Sequence, residues 1–186
     1  MASLLYGSDW VSSTINRMAD QIMAAPVRGQ RVIIGLRTRG AILADRLHKR
    51  MIKWDSNSST PADIPVGYLD ATFYRDDLRE GSGLKAVQPT DLPFSIDDKA
   101  ITLVDDVLST GRTIRAALGA LFDYGRPSCV RLCVMADRGG RELPIQPDVR
   151  GISIDVPKGA FLRVRFTETD PQGDAIYLVP PGEKDL

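Results

Sequence analysis

Histidine and cysteine are scarce in this chain of 186 residues, which holds one histidine and two cysteines. The histidine, His48, stands in a basic run, LHKRMIKW, without the nearby partners that a catalytic triad or a zinc site requires. It reads as a surface residue, and histidine chemistry is excluded as the engine. Cys129 and Cys133 share an apolar, strand-like run, where their even spacing places them on one face but too far apart to bridge within one strand. They read as core thiols. Net charge is missing as well, because 24 Lys and Arg balance 24 Asp and Glu, so the overall charge does not advertise nucleic acid. No apolar stretch approaches the roughly twenty residues of a membrane span, and the N-terminus lacks a charged region followed by an apolar block. The expectation is a cytoplasmic, reduced protein forming one α/β domain over residues 1–186.

What is present centres on residues 101–118, ITLVDDVLSTGRTIRAAL. Ile101 to Val104 suit a strand buried on both faces of a parallel sheet. Asp105 and Asp106 stand where that strand would leave the sheet, and alternation turns them to opposite faces, so they cannot share one task. Leu108 to Thr113 supply hydroxyls and a permissive glycine, Gly111, just before a helical pattern at Ile114, Ala117, Leu118 and Leu121. Free N–H groups and the positive dipole end at a helix start form an anion site, to which Ser109, Thr110 and Thr113 add hydroxyl donors. The upstream carboxylates would repel a bare polyphosphate but accept hydrogen bonds from sugar hydroxyls or help hold hydrated Mg²⁺. The implied ligand is a ribose bearing a terminal phosphate. A Walker loop is excluded, because its first glycine and its lysine are both missing and Arg112 occupies the lysine's place.

The remaining pattern alternates helices and strands. A helical stripe of Val11, Ile15, Met18, Ile22 and Met23 runs over residues 8–25, with Ser8 or Asp9 as cap and Pro26 as stop. RVIIGL at 31–36 is a buried strand, and Arg37-Thr38-Arg39-Gly40 turns into a helix from Ala41 to about Met51. In open α/β sheets the carboxyl ends of strands carry the ligand, so RTRG and DDVLSTGRT would meet in one crevice if their strands are neighbours. Residues 53–65 are a polar connector, followed by a strand at 64–69. Residues 71–95 form a glycine-bearing excursion read as a projecting hairpin arm, a lid carrying Tyr74, Arg75 and Asp76. Cys129 to Met135 is another buried strand, leading to Asp137. Ile152 to Val156, Phe161 to Phe166 and Ala175 to Val179 are three short strands, a small antiparallel piece able to roof the crevice, so that a hood lies mainly at 150–180.

VDDVLSTGRT resembles the phosphoribosyl-pyrophosphate (PRPP) motif of the type I phosphoribosyltransferases. The segments GLRTRG, VGYLDATFYRDDL, VDDVLSTGRTIRAAL, YGRPS and ADRGGRELPI resemble one branch, the bifunctional pyrimidine-operon regulator and uracil phosphoribosyltransferase (PyrR) family. The resemblance implies a parallel sheet flanked by helices, a flexible arm and a C-terminal hood. It implies that PRPP, with Mg²⁺ as cofactor, reacts with uracil to give UMP and pyrophosphate. Asp105 and Asp106 would meet the ribose hydroxyls and touch the metal only indirectly, through PRPP, while Val107 and the loop from Leu108 through Ser109, Thr110, Gly111 and Arg112 to Thr113 wrap the 5′-phosphate. Thr38, Arg39 and Gly40 would surround the diphosphate in a loop that often carries a cis peptide in this family. Arg39 and Arg75 would neutralise the leaving group, and the base would lie near Asp137 and Val156. The family usually assembles as homodimers or higher. Its second activity, binding pyrimidine-operon messenger RNA, would draw on Arg17, Arg138 and Arg141, with Arg150 a further basic residue nearby. The chain departs from that basic face: Gly140 replaces the family histidine, Gln146 and Ile152 lie where basic side chains are frequent, and Asp20 adds negative charge to the first helix. An RNA-binding attenuator that senses UMP or UTP, or a transferase for another base, are the alternative readings.

Overall fold

The computed structural model describes residues 1–53, 62–74 and 88–183. Its centre is a five-stranded parallel sheet in the order β3-β2-β4-β5-β6, made of Val66–Leu69, Arg31–Leu36, Ala100–Leu108, Cys129–Asp137 and Val149–Ser153. The runs RVIIGL and AITLV are apolar and β-branched because both sheet faces are covered. Helices α1 (Ser8–Ala24) and α2 (Arg39–Met51) bury Val11, Ile15, Met18, Ile22, Leu43 and Leu47 against one face. Helix α3 (Arg112–Phe122) buries Ile114, Ala117 and Leu121 against the other. Burial of each such large aliphatic side chain contributes about 1.5–3 kcal/mol, which outweighs any weak local preference.

Several expectations shift at the element ends. Neither Ser8 nor Asp9 caps α1; Gly7 holds the N-cap position, and the Ser8 hydroxyl instead donates to the Asp174 carbonyl at 3.1 Å. The strand expected near Ile152–Val156 is Val149–Ser153, and it extends the parallel sheet beside β5. The small antiparallel sheet is completed from the other end of the chain: β1 (Ser3–Tyr6) pairs with β8 (Ala175–Val179), which pairs with β7 (Phe161–Arg165). A short run such as SLLY carries too little periodicity to declare its partner, which lies more than 170 residues away in the register Ser3 to Leu178. Arg46 of α2 fastens this sheet to the main body, donating to Glu168 at 2.9 Å and to Asp174 at 2.8 Å from the β7–β8 connection.

His48 is half-buried in the last turn of α2, Cys133 is buried and Cys129 half-buried, and both thiols are free. No helix among the described residues is long and apolar enough to cross a membrane.

Candidate active site

In the sheet order, β3 lies on one side of β2 and β4 on the other, so the chain reverses direction across the sheet between β2 and β4. Loops leaving the carboxyl ends of two such strands diverge to opposite faces and open a crevice between them. Both loops singled out by sequence emerge at this point. Their contact is direct: a Cβ added at Gly40 would lie 2.6 Å from the Val104 carbonyl oxygen and 3.0 Å from the Asp105 Cα. Only a glycine lets the first turn of α2 approach β4 this closely.

On the first loop, the Arg37–Thr38 peptide is cis, Thr38 is exposed, and Arg39 is the first residue of α2. The Arg39 guanidinium is 3.9 Å from Asp170 of the small sheet, and its Nε is buried without a hydrogen-bond partner. Arg37 stacks over the Tyr68 ring at 4.9 Å, and its Nε is likewise unbonded.

On the second loop, the strand continues beyond the point expected: β4 runs through both aspartates to Leu108, with Asp105 opposite Val134 and Leu108 opposite Asp137. Asp105 is buried, and its Oδ1 accepts the Asp106 N–H at 2.9 Å; Asp106 is half-buried. The two carboxylates are therefore in different settings, as alternation requires. Val107 is half-buried and Leu108 buried, while Ser109, Thr110, Arg112 and Thr113 are all half-buried. Gly111 adopts φ +92 at the N-cap of α3, a left-handed conformation that side chains rarely tolerate, and turns the chain from the strand's loop into the helix. The Thr110 hydroxyl accepts the Arg112 N–H at 3.3 Å, and the Arg112 Nε donates to Glu142 at 2.6 Å.

Three successive carbonyls of the loop are bonded by residues 138–143. Leu108 O accepts from Arg138 N at 3.0 Å, Ser109 O from the Arg141 guanidinium at 2.8 Å, and Thr110 O from Glu142 N and Leu143 N at 2.9 and 3.1 Å. Asp137, at the end of β5, is buried and engaged: one oxygen accepts the Gly139 N–H at 3.1 Å, and the other lies 2.7 Å from Arg141 and 3.9 Å from Arg150. Its carboxylate thus points into the protein's own arginines. Val156 is half-buried against the core on the α1–α2 face.

Other expected residues are not gathered here. Tyr74 ends a short 3₁₀ turn, Thr72–Tyr74, and lies along α3, its ring 3.4 Å from a Cβ placed at Gly119 and its hydroxyl donating to Asp123 beyond the helix's far end. That end is about 16 Å from the phosphate loop along an eleven-residue helix. Arg75 and Asp76, with residues 77–87 of the expected arm, lie outside the described residues. Of the three arginines considered for RNA, Arg17 donates to the Gly151 carbonyl at 2.6 Å, Arg138 is half-buried with an unbonded Nε, and Arg141 is bound on three sides.

Asp70 was not singled out from sequence, yet it organises the base of the arm. Its Oδ1 accepts the Thr72 N–H at 2.8 Å and its Oδ2 the Gln88 N–H at 2.7 Å, so one carboxylate ties both sides of the excursion. Burial works against its charge, but the hydrogen bonds from Thr72 and Gln88 prevail and hold it below the ordinary 3.8. The missed signal was available: like Asp137, Asp70 is an acid just at the carboxyl edge of a strand, and it precedes a threonine by two.

A cavity of about 370 Å³ lies at the opposite, amino edge of the sheet, lined by Ile22, Arg31, Thr102, Cys129 and Arg131 among others. None of the expected site residues lines it, and it offers no glycine-led helix start. The crevice at the carboxyl edge is the better candidate on chemical grounds.

Comparison with known proteins identifies the family. The phosphoribosyl transferase domain family matches residues 11–164. The bifunctional protein PyrR of Listeria monocytogenes serotype 4b is 46% identical over 149 residues, covering 78% of this chain and 79% of its own. That of Deinococcus radiodurans is 40% identical over 178 residues, covering 95% and 94%. The hypoxanthine phosphoribosyltransferase of Trypanosoma cruzi superposes with a TM-score of 0.68 over 96% of this chain and 97% of that one, at 19% identity, which speaks to the fold alone. A sheet that reverses between β2 and β4, an acidic pair at that reversal, a glycine-led helix start beside it and these similarities over most of the length together place the chain in the PyrR family of type I phosphoribosyltransferases.

Proposed function

We propose that this phosphoribosyltransferase transfers the ribosyl 5-phosphate of PRPP to uracil, giving UMP and pyrophosphate, with the crevice between the β2 and β4 loops as its active site. The observation that carries the reading is the meeting of the two loops at Gly40 and Asp105, which sets a diphosphate-sized cationic turn beside an acidic shelf and a helix start. The loop from Ser109 to Thr113 holds the 5′-phosphate with main-chain N–H groups and hydroxyls. The two carboxylates divide the work at the ribose: the half-buried Asp106 accepts hydrogen bonds from its hydroxyls, and the buried Asp105, one oxygen already bonded to the Asp106 amide, favours positive charge developing at C1′. Thr38, Arg39 and the Gly40 amide receive the departing diphosphate, which leaves with the electron pair of its bond to C1′. The base nitrogen then bonds to the same carbon and loses its proton. Positioning and charge stabilisation supply the rate.

Mg²⁺ fits this donor set as a substrate-borne ion. Among the described residues no group of three or more His, Cys, Asp or Glu could hold a metal, whereas magnesium is commonly held by one or two carboxylates together with substrate phosphates. Asp105 and Asp106 are the residues that would face it, and when bound it would offset charge on the diphosphate.

The enzymatic reading is favoured over the RNA-binding one by what the arginines touch. Affinity for RNA rests on cations free to neutralise phosphates, and Arg141 is occupied by three internal acceptors. The test is turnover of PRPP with uracil, hypoxanthine, adenine and orotate in parallel. Uracil is expected to be consumed fastest; preference for another base would reject the assignment of the substrate, and no turnover with any base would reject the site.

A further inference from the structure

The segment 138–145, RGGRELPI, makes an ordered set of contacts with the loop proposed to hold the 5′-phosphate. Three successive carbonyls, those of Leu108, Ser109 and Thr110, accept hydrogen bonds from it, and only one of these bonds comes from a side chain. That side chain is Arg141. Its Nε donates to the Ile145 carbonyl at 2.7 Å, one terminal nitrogen to the Ser109 carbonyl at 2.8 Å, and the other lies 2.7 Å from Asp137. The guanidinium is 15% exposed, and each of its nitrogens is used. A planar fork with fixed donor directions is suited to join three acceptors at once, which a lysine cannot do.

We infer that Arg141 is a positioning residue for PRPP: by drawing the Ser109 carbonyl backward, it holds the adjoining amides of the phosphate loop forward, and through Asp137 it ties the loop to the end of β5. A peptide unit is planar, so fixing a carbonyl on one side fixes the next N–H on the other. With the Ser109 carbonyl held at Arg141, the Thr110 N–H points away from the brace and toward the crevice. Gly111 depends on the same brace, because a Cβ there would lie 3.4 Å from both Leu143 and Ile145. Removing the guanidinium would leave the Ser109 and Ile145 carbonyls without this donor and the buried Asp137 carboxylate with the Gly139 amide and the distant Arg150. The loop could then rotate its peptides, and the anion site would lose its preorganisation. The inference rests on the proposal that Ser109 to Thr113 bind the 5′-phosphate.

The experiment is steady-state kinetics of Arg141→Met and Arg141→Lys beside the unaltered protein, with melting temperature recorded for each. Arg141→Lys keeps a positive charge beside Asp137 and is the variant that preserves folding. The expected result is a KM for PRPP raised roughly ten- to hundredfold in Arg141→Met and less in Arg141→Lys, with the KM for uracil changed by less than about threefold. A general loss of structure would instead move both constants, or the melting temperature alone. An unchanged KM for PRPP in a folded variant overturns the inference. Amide exchange of the unaltered protein with PRPP separates this from failure of the site itself: protection of residues 109–113 upholds the phosphate loop whatever Arg141 does, and absence of protection rejects both.

Discussion

The two loops that meet at Gly40 and Asp105 are held in opposite ways. The phosphate loop is braced from behind: its carbonyls are satisfied by residues 138–143, and its glycine packs on Leu143 and Ile145. Among the described residues, the turn from Arg37 to Gly40 is held mainly at its start, where the Arg37 N–H donates to the Leu69 carbonyl at 3.0 Å and its guanidinium to Gln88 at 3.3 Å. Its arginines each keep a buried, unbonded Nε, its threonine is exposed, and the Arg39 guanidinium comes no nearer than 3.9 Å to Asp170. A buried donor without an acceptor costs on the order of 1–3 kcal/mol, so this turn carries a deficit that an anionic ligand would relieve. On the proposed function, one loop is set before substrate arrives and the other is completed by it. The difference suits the chemistry, since the 5′-phosphate stays bound to substrate and product alike while the diphosphate must leave.

The largest effect is expected at the shelf between the loops. Asp105→Asn and Asp106→Asn remove charge without changing shape, and each should lower kcat/KM by roughly a hundred- to a thousandfold, the usual loss when a preorganised electrostatic partner of the transition state is removed. Activity within threefold of the original in both variants would sever the shelf from the reaction. Next comes Arg39→Ala, which tests the contrast itself. The KM for PRPP should rise roughly tenfold while the melting temperature holds or rises, because the substitution removes a cation with no ion-pair partner closer than 3.9 Å and a buried donor without an acceptor. A marked fall in melting temperature would show that this turn is braced after all.

The smallest effect concerns pH at the base of the arm. Asp70 has its pKa lowered in the folded protein, so the unfolded chain binds its proton more readily. Its contribution is therefore present above the ordinary 3.8 and is lost as pH falls through the lower folded value. Chemical shifts of the Thr72 and Gln88 amides should stay constant from neutral pH down to about 4 and then move together. Independent movement, or movement near neutral pH, would show that the carboxylate does not hold both.

Local order was legible along most of the chain. Strand β2 falls on Arg31–Leu36 as read, because six consecutive residues without a charged interruption after Arg31 state their burial outright. Gly111 announced the start of α3, since a helix preceded by hydroxyls and a glycine has few other readings. The extent of β4 was less clear. Two adjacent aspartates look like the end of a strand, and only the neighbouring β5, which pairs with Asp105, Val107 and Leu108, keeps that backbone extended. Arg141 shows a related limit: an arginine in a polar loop resembles a surface cation until the three carbonyl and carboxylate acceptors around it are known.

From its residue order alone, this protein disclosed a buried strand, an acidic pair, an anion-ready helix start and a basic turn, because each is set by spacing over a few neighbours and by the conformations those residues permit. Tertiary structure decided that β2 and β4 lie side by side, that the chain's first strand closes a sheet begun near its last, and that RGGRELPI backs the phosphate loop. Such pairings are settled by competition among all surfaces seeking burial and all backbone groups seeking partners, and that competition has no local signature.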